Sequence, residues 1–546
     1  MSAPRFFARI RGFRASAAWL VPALLAVSFA SAAVPPSGGD RVKVWVSLAD
    51  KGSGVPASGR SFEDAPVYAP YLAALRGAGV TVAVTLKWQN KVSGWVDAAR
   101  VSAVAELPFV KKVEELPRKG AAAPLPGPSY VGAPLAKTTA APQSFGSFQT
   151  LFDLVGASAL RDTVARRNLK PGEGVKVAVM DADFMLGHKA FDSLFARGAL
   201  ADQYDFVSDT TVAVTRTLGN SHGAQVLSQI AGDLPGVLQG LAPHARVMLY
   251  RTEDEANEVY AEEDFLAAAL ERAVDSGAQV ISISLGYRYD FDTEPDVPYS
   301  AMNGRTRPSS LAALGAARRG ALVVVAIGNE GGTRNGQPTV TAPSDADSIL
   351  SVGAVSAAGA RCNYSSTGPT FDNRRKPEVS SIGCSMPLAD TRTQTGVWNQ
   401  SGTSFAAPVV AGIATLLRQL HPDSAGETAQ EIRTALMTTA RQDSAPDNLA
   451  GHGIVNAAAA HCELSFGDTC RFEPDPSALK NMYVWRGGSL ATFPWPSTLN
   501  PDKIRAWDFQ GRAVKIEGRW NADGEVQLNT PRRRAPAPLI LKIPVE

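Results

Sequence analysis

Five near-continuous apolar runs set the frame of this 546-residue chain: VKVAVMD at 175–181, ARVMLY at 245–250, AQVISISLG at 278–286, ALVVVAIGN at 321–329 and ILSVGAV at 349–355. Apolar runs without alternation suit strands buried on both faces, as in a parallel sheet. Between them, 224–231, 262–276 and 309–319 carry apolar residues at helical spacing. The alternation predicts an α/β domain over 147–461, a doubly wound and mainly parallel sheet with reactive groups at the carboxyl ends of its strands.

The pattern changes on either side. Within 34–118, VKVWVSL at 42–48 reads as a strand and 65–75 as a helix. The segments 80–86 and 92–97 alternate like paired strands, 98–107 is helical and 110–113 is a last strand. The order β-α-β-β-α-β predicts a ferredoxin-like α+β unit. Residues 119–146 are rich in Ala, Pro, Gly and Ser and read as an exposed linker, the kind of segment where proteolytic nicking concentrates. The tail, 462–546, holds short alternating runs at 504–509, 525–530 and 539–543 and predicts a small β-rich domain.

The first residues have a different logic. Arg5, Arg9, Arg11 and Arg14 precede an apolar run at 17–30 and then Ala30-Ser31-Ala32. This is the build of a signal peptide, assigned to 1–33, and it predicts a product that is secreted or at the cell surface. No later stretch reads as long and apolar enough to cross a bilayer, so no transmembrane span is expected in the mature protein. An export route makes disulfides permissible among Cys362, Cys384, Cys462 and Cys470. Proximity suggests Cys362 with Cys384 and Cys462 with Cys470, with free thiols as the alternative; no Cys/His cluster reads as a zinc site. The 54 basic and 52 acidic residues nearly cancel, which argues against a nucleic-acid surface.

Four side chains could carry chemistry. Ser404 lies in NQSGTSFAAPVVAGI, a small-residue turn entering an apolar helix, with Pro408 in its first turn. A hydroxyl there faces free N–H groups and the positive helix end, although a plain N-cap has the same look. His222, in NSHGAQVLSQIAG, stands where a general base could, and His452 in GHGIVNA competes for that role. Asp181 closes the first apolar run and could orient an imidazole; Asp183 is the rival carboxylate. Asn329 ends VVVAIGN before a glycine-rich turn, where its amide could donate to an oxyanion or simply tolerate a left-handed turn.

Read together, these segments resemble the subtilisin-like serine peptidases, the subtilases. VAVMDADF is similar to the family's VAVIDTG, HGAQVLSQIAG to HGTHVAGTIAG, VVVAIGNEG to VVAAGNEG and SGTSFAAPVVAG to GTSMAAPHVAG. SISLG at 282–286, YSSTGP at 364–369, RRKPEV at 374–379 and GHGIVNA at 451–457 add support. The resemblance implies a serine endopeptidase with Ser404 as nucleophile, His222 as base, Asp181 as its partner and Asn329 as oxyanion donor. Ser284, Leu285 and Gly286 would pair with an extended polypeptide substrate. It also implies that 34–118 is a propeptide, inhibitor and folding aid of its own enzyme, and that the mature protein is a monomer. The tail is similar to C-terminal sorting domains of exported bacterial peptidases. Two positions depart from the family: Asp183 replaces a glycine and adds a charge near the acid, and Gln225 replaces a second histidine. No cofactor is certain. The acidic run 251–265 is expected to be solvated surface, with a structural calcium site or a subsite for basic residues as alternatives. Two rivals remain: a non-catalytic binding protein on this scaffold, and an α/β-hydrolase lipase, whose GxSxG motif and residue order this chain lacks.

Overall fold

A computed structural model describes residues 40–465, apart from 57, 117–144, 255–256, 293, 423–427 and 442–444, together with short strands of the tail. The signal segment expected at 1–33 lies outside the described residues, as does the linker except for residues 145 and 146.

The N-terminal unit is one antiparallel sheet of β1 (Arg41–Leu48), β2 (Thr81–Leu86), β3 (Lys91–Asp97) and β4 (Val110–Glu115), in the order β2-β3-β1-β4. The helix expected at 65–75 is split into Arg60–Asp64 and α1 (Ala69–Gly77). Prolines explain the break: Pro66 has no N–H to continue a helix, whereas Pro70 sits in the first turn of α1, where none is needed. Period-two alternation divides β1 between two cores. Val44 and Val46 pack with Leu75, Val92 and Val104 inside the unit, while Lys43 and Trp45 point the other way.

That outer face rests on the main domain. Its sheet has seven strands: β5 (Lys176–Asp181), β6 (Leu200–Asp205), β7 (Arg246–Arg251), β8 (Val280–Ile283), β9 (Leu322–Ala326), β10 (Leu350–Val355) and β11 (Val379–Ile382). The order is β11-β10-β9-β8-β5-β7-β6 and every neighbouring pair is parallel. Helices α2 (His222–Ala231) and α5 (Thr403–Leu420) cover one face, α3 (Ala261–Asp275) and α4 (Pro308–Arg318) the other. Alternation again sorts the residues. Val177, Val179, Val247 and Leu249 meet α2 and α5, while Ala178, Met180, Met248 and Tyr250 meet α3 and α4.

Three expectations need correction. Strands β6 and β11 lie at the two edges and read LADQYD and VSSI, too polar to stand out as apolar runs. Helix α5, 18 residues with mean hydropathy 1.2, is long and apolar enough to qualify as a span, contrary to the reading that no later stretch is. Its window is 89% buried inside the protein, so the apolarity serves the core. The acidic run is not a solvated face: Glu253, Glu262, Glu263 and Asp264 are all buried.

The tail contributes two small antiparallel sheets. One joins Met482–Trp485, Leu539–Lys542, Arg505–Asp508 and Ala513–Val514, the other Ala491–Phe493, Val526–Asn529 and Glu517–Trp520.

Candidate active site

Asp181 is the last residue of β5 and shares the parity of Val177 and Val179, so its side chain emerges on the face covered by α2. Helix α2 begins with His222. Its N-cap is Ser221, whose hydroxyl accepts the Ala224 N–H at 3.3 Å. Asp181 Oδ1 accepts from His222 Nδ1 at 2.7 Å and from the Ala182 N–H at 2.9 Å. With Nδ1 bonded to the carboxylate, Nε2 lies on the side of the ring away from Asp181. The acid side chain is fully buried and the imidazole 24% exposed, so the hydrogen bond is shielded from water on the carboxylate side while the ring stays open to it.

Ser404 is the second residue of α5. The helix starts at Thr403, so Pro408 falls in its second turn rather than the first. That placement matters for the serine. Pro408 has no N–H to give to the carbonyl four residues earlier, which is that of Ser404, and the Ser284 hydroxyl donates there instead at 2.8 Å. In return the Ser404 hydroxyl donates to the Ser284 carbonyl at 3.1 Å. The Phe405 ring lies 5.4 Å from the His222 ring, which brings the imidazole against the serine turn.

Asn329 follows β9 on an exposed turn. The left-handed conformation there belongs to Gly328, φ +116°, and not to the asparagine. The side chain of Asn329 is instead held by its oxygen, which accepts from the Thr403 N–H at 2.9 Å and the Thr403 hydroxyl at 3.0 Å. The backbone N–H can only donate, which fixes that atom as the oxygen and turns the amide NH2 away from Thr403. Thr403, which the sequence reading passed over, is signalled only by its place beside the serine.

Ser284, Leu285 and Gly286 continue β8 beyond the sheet, buried, half-buried and exposed in turn. Tyr287 anchors this edge by exchanging hydrogen bonds with Ala342, at 2.8 and 3.3 Å. A Cβ on Gly286 would stand 2.5 Å from Thr341 Oγ1, so only glycine keeps the edge flat here. The rival histidine is elsewhere: the His452 N–H bonds the carbonyl of Glu378, just before β11 begins and at the opposite end of the parallel sheet. Gln225 is buried within α2.

Comparison with known proteins supplies the family. The model of the subtilase family matches 172–453, just over half of the chain, and that of the peptidase S8 propeptide domain of Bacteroidota matches 57–124. The chain belongs to the subtilase family. It is 30% identical to subtilisin from Bacillus pumilus over 53% of this chain and 91% of that one. It is 27% identical to the thermophilic serine proteinase of Bacillus sp. (strain AK1), over 53% of this chain and 62% of that one. For Mycosin-4 of Mycobacterium tuberculosis (strain ATCC 25618 / H37Rv) the identity is 29%, over 57% and 70%. The solved structure of the prenylagaramide maturation protease PagA covers 57% of this chain and 98% of its own at 24% identity and a TM-score of 0.43.

This subtilase is thus a serine peptidase made with a propeptide, and the contact between the two combines apolar packing of Trp45 and Leu86 with buried hydrogen bonds. Asp264 of α3 accepts from Trp45 Nε1 at 2.8 Å and from the Ser93 hydroxyl, and pairs with Lys43 at 3.1 Å. Glu271, one face of α3 further along, accepts the N–H groups of Lys87 and Trp88, each at 2.9 Å, and burial pushes its carboxyl up to about 7. Beside Tyr287, at the end of the 284–286 edge, Glu253, Glu258 and Glu262 bring carboxylate oxygens within 4.8 Å of one another. Oxygen donors of that kind suit a hard cation. Yet Glu262 already accepts the Asp254 and Val259 N–H groups at 2.7 and 3.0 Å, and Glu253 the hydroxyls of Thr252 and Tyr287, so the cluster is bonded within the protein as it stands. Burial and the neighbouring Glu258 raise the Glu253 carboxyl well above its ordinary value.

The expected Cys362–Cys384 disulfide is present, with Cα atoms 6.3 Å apart. Cys462 is buried and its proposed partner Cys470 lies outside the described residues.

Proposed function

We infer that this subtilase is an exported endopeptidase in which Ser404, His222 and Asp181 form the catalytic triad. The observation that carries the reading is the 2.7 Å bond from His222 Nδ1 to a fully buried carboxylate, next to a serine at the start of a helix. Ser404 redirects its proton from the Ser284 carbonyl to His222 Nε2 and attacks the scissile carbonyl carbon. Asp181 stabilises the imidazolium that forms. Negative charge on the carbonyl oxygen is met by the Asn329 amide and the Ser404 N–H, one of the free donors at the start of α5. The tetrahedral intermediate collapses to an acyl-enzyme as His222 gives the proton to the leaving amine, and water then releases the second product by the same route.

Ser284 to Gly286 continue β8 as an edge that opens to solvent at Gly286, which suits main-chain pairing with polypeptide segments of varied sequence. The N-terminal unit, seated on α3 through Asp264 and Glu271, is read as the inhibitor removed by a cut in 119–146. The test is a fluorophosphonate probe on the matured enzyme. Covalent labelling in wild type and none in Ser404→Ala is expected. Equal behaviour of the two proteins would refute the triad.

A further inference from the structure

Asp183 has no task in the chemistry just described, yet it stands at the seat of the base. The turn from Asp181 to Asp183 is the surface on which α2 rests. A Cβ on Gly223 would lie 2.2 Å from the Asp183 carbonyl oxygen and 2.9 Å from the Asp181 Cβ. There is no room for even one carbon between the first helical turn and this backbone.

Ser221 is the fastening. Its Oγ accepts the Ala224 N–H at 3.3 Å and the Met185 N–H at 3.1 Å, and donates to Asp183 Oδ1 at 2.9 Å. A hydroxyl has two acceptor sites and one proton, so all of its capacity is used. The proton's other acceptor within range is the Asp183 carbonyl, longer at 3.5 Å. Oδ1 of Asp183 therefore sets the rotation of the cap. The Ser221 N–H is held in turn by Thr391 Oγ1 at 3.2 Å. His222 is the next residue along, and its ring direction follows from this mount.

We propose that Asp183 is a positioning residue for the base: its carboxylate locks the Ser221 cap that carries His222 and adds a second negative charge beside the imidazole. This rests on the triad reading above. A negative charge nearby favours imidazolium over imidazole, so the acid limb of the activity profile is displaced to higher pH. Among the described residues, the other charged groups around the site include Asp181 on Nδ1, Glu253, which feels the charge of Asp181, Arg251 and the Asp390–Arg392 pair. Arg251 reaches the Ala182 carbonyl at 2.9 Å and Asp205 at 3.0 Å, and Asp390–Arg392, 2.7 Å apart, flank Thr391. All of these groups are retained in the variants at 183, so the comparison turns on the carboxylate at that position.

The experiment compares wild type, Asp183→Asn and Asp183→Ala as matured enzymes, by kcat and KM across pH and by the rate of fluorophosphonate labelling. Asparagine keeps an acceptor oxygen and removes the charge: the acid limb moves to lower pH, and more of the plateau kcat survives than in the alanine variant. Alanine loses the acceptor as well: the plateau kcat falls by about tenfold, the scale of one hydrogen bond, with little change in KM. A wild type that labels while Asp183→Asn leaves the acid limb in place overturns the proposal and spares the triad. A wild type that never labels overturns the triad reading, and with it this one, before the variants are compared. Should Asp183→Ala fail to fold, the asparagine profile still decides.

Discussion

Thr403 grips Asn329 with two donors, its backbone N–H at 2.9 Å and its hydroxyl at 3.0 Å, both on the same amide oxygen. The same hydroxyl is 3.1 Å from the Gly328 carbonyl. The residue before the serine thus sets the aim of an amide brought in from another strand. Asn329→Ala is expected to lower kcat by about a hundred- to a thousandfold with KM little changed; that range is measured in subtilisin, a relative. Thr403→Val keeps the N–H and loses the hydroxyl, and is expected to cost about tenfold in kcat. If the valine variant matched wild type in kcat, the grip would have no part in aiming the amide.

Asp181→Asn tests the other half of the site. The buried oxygen that accepts from His222 Nδ1 is retained in shape, but an amide in its place favours the wrong imidazole tautomer. A fall in kcat of about ten-thousandfold is expected, on the pattern of the equivalent change in another serine peptidase, with the fold intact by circular dichroism. Combining it with Ser404→Ala should add little, since residues acting as a unit are not additive.

Much of this was legible in the sequence, and for a physical reason. Buried strands such as β5 and β9 are long apolar runs, and Asp181 and Asn329, the residues proposed for the chemistry, interrupt or end them. Edge strand β6 is half-buried and carries polar residues, and β11, although buried, holds Ser380 and Ser381 between its two apolar ends, so neither leaves such a trace. The acidic run misled because composition cannot report partners. Asp264 is buried beneath Trp45, Ser93 and Lys43, which are more than 170 positions away in the chain. The burial of Glu271 beneath Lys87 and Trp88 was hidden in the same way.

Glu271 makes the grip of the propeptide depend on pH. Its carboxyl is pushed up to about 7 by burial, against the N–H groups of Lys87 and Trp88 that hold it down, and is expected to return towards the ordinary 4.5 as water reaches it on release. Docking therefore takes up a proton. The sign follows: this contribution is fully present below about 4.5 and is lost as pH rises through about 7, on the order of a hundredfold in affinity. Release of the cleaved propeptide from the processed complex should accelerate with rising pH, and Glu271→Gln should flatten that profile. An unaltered profile in the glutamine variant would place the pH dependence on another group.

The Cys362–Cys384 disulfide is expected to protect the serine turn as well as the fold. Cys384 follows Gly383, whose carbonyl accepts the Gly402 N–H at 3.0 Å and the Tyr364 hydroxyl at 2.8 Å. Ser385, on the other side, donates its N–H to the Ser401 hydroxyl at 2.9 Å. Residues 383 to 385 thus hold both residues that lead into α5 and Ser404. The bridge closes a loop with a sequence separation of 22, for which chain entropy gives a stabilisation of about 3 kcal/mol. Replacing both cysteines by serine should lower the midpoint of thermal unfolding. It should also reduce kcat at temperatures well below that midpoint, because the turn before Ser404 gains freedom. Reductant should reproduce both effects in wild type and neither in the double variant. A lower midpoint with an unchanged kcat would confine the disulfide to stability.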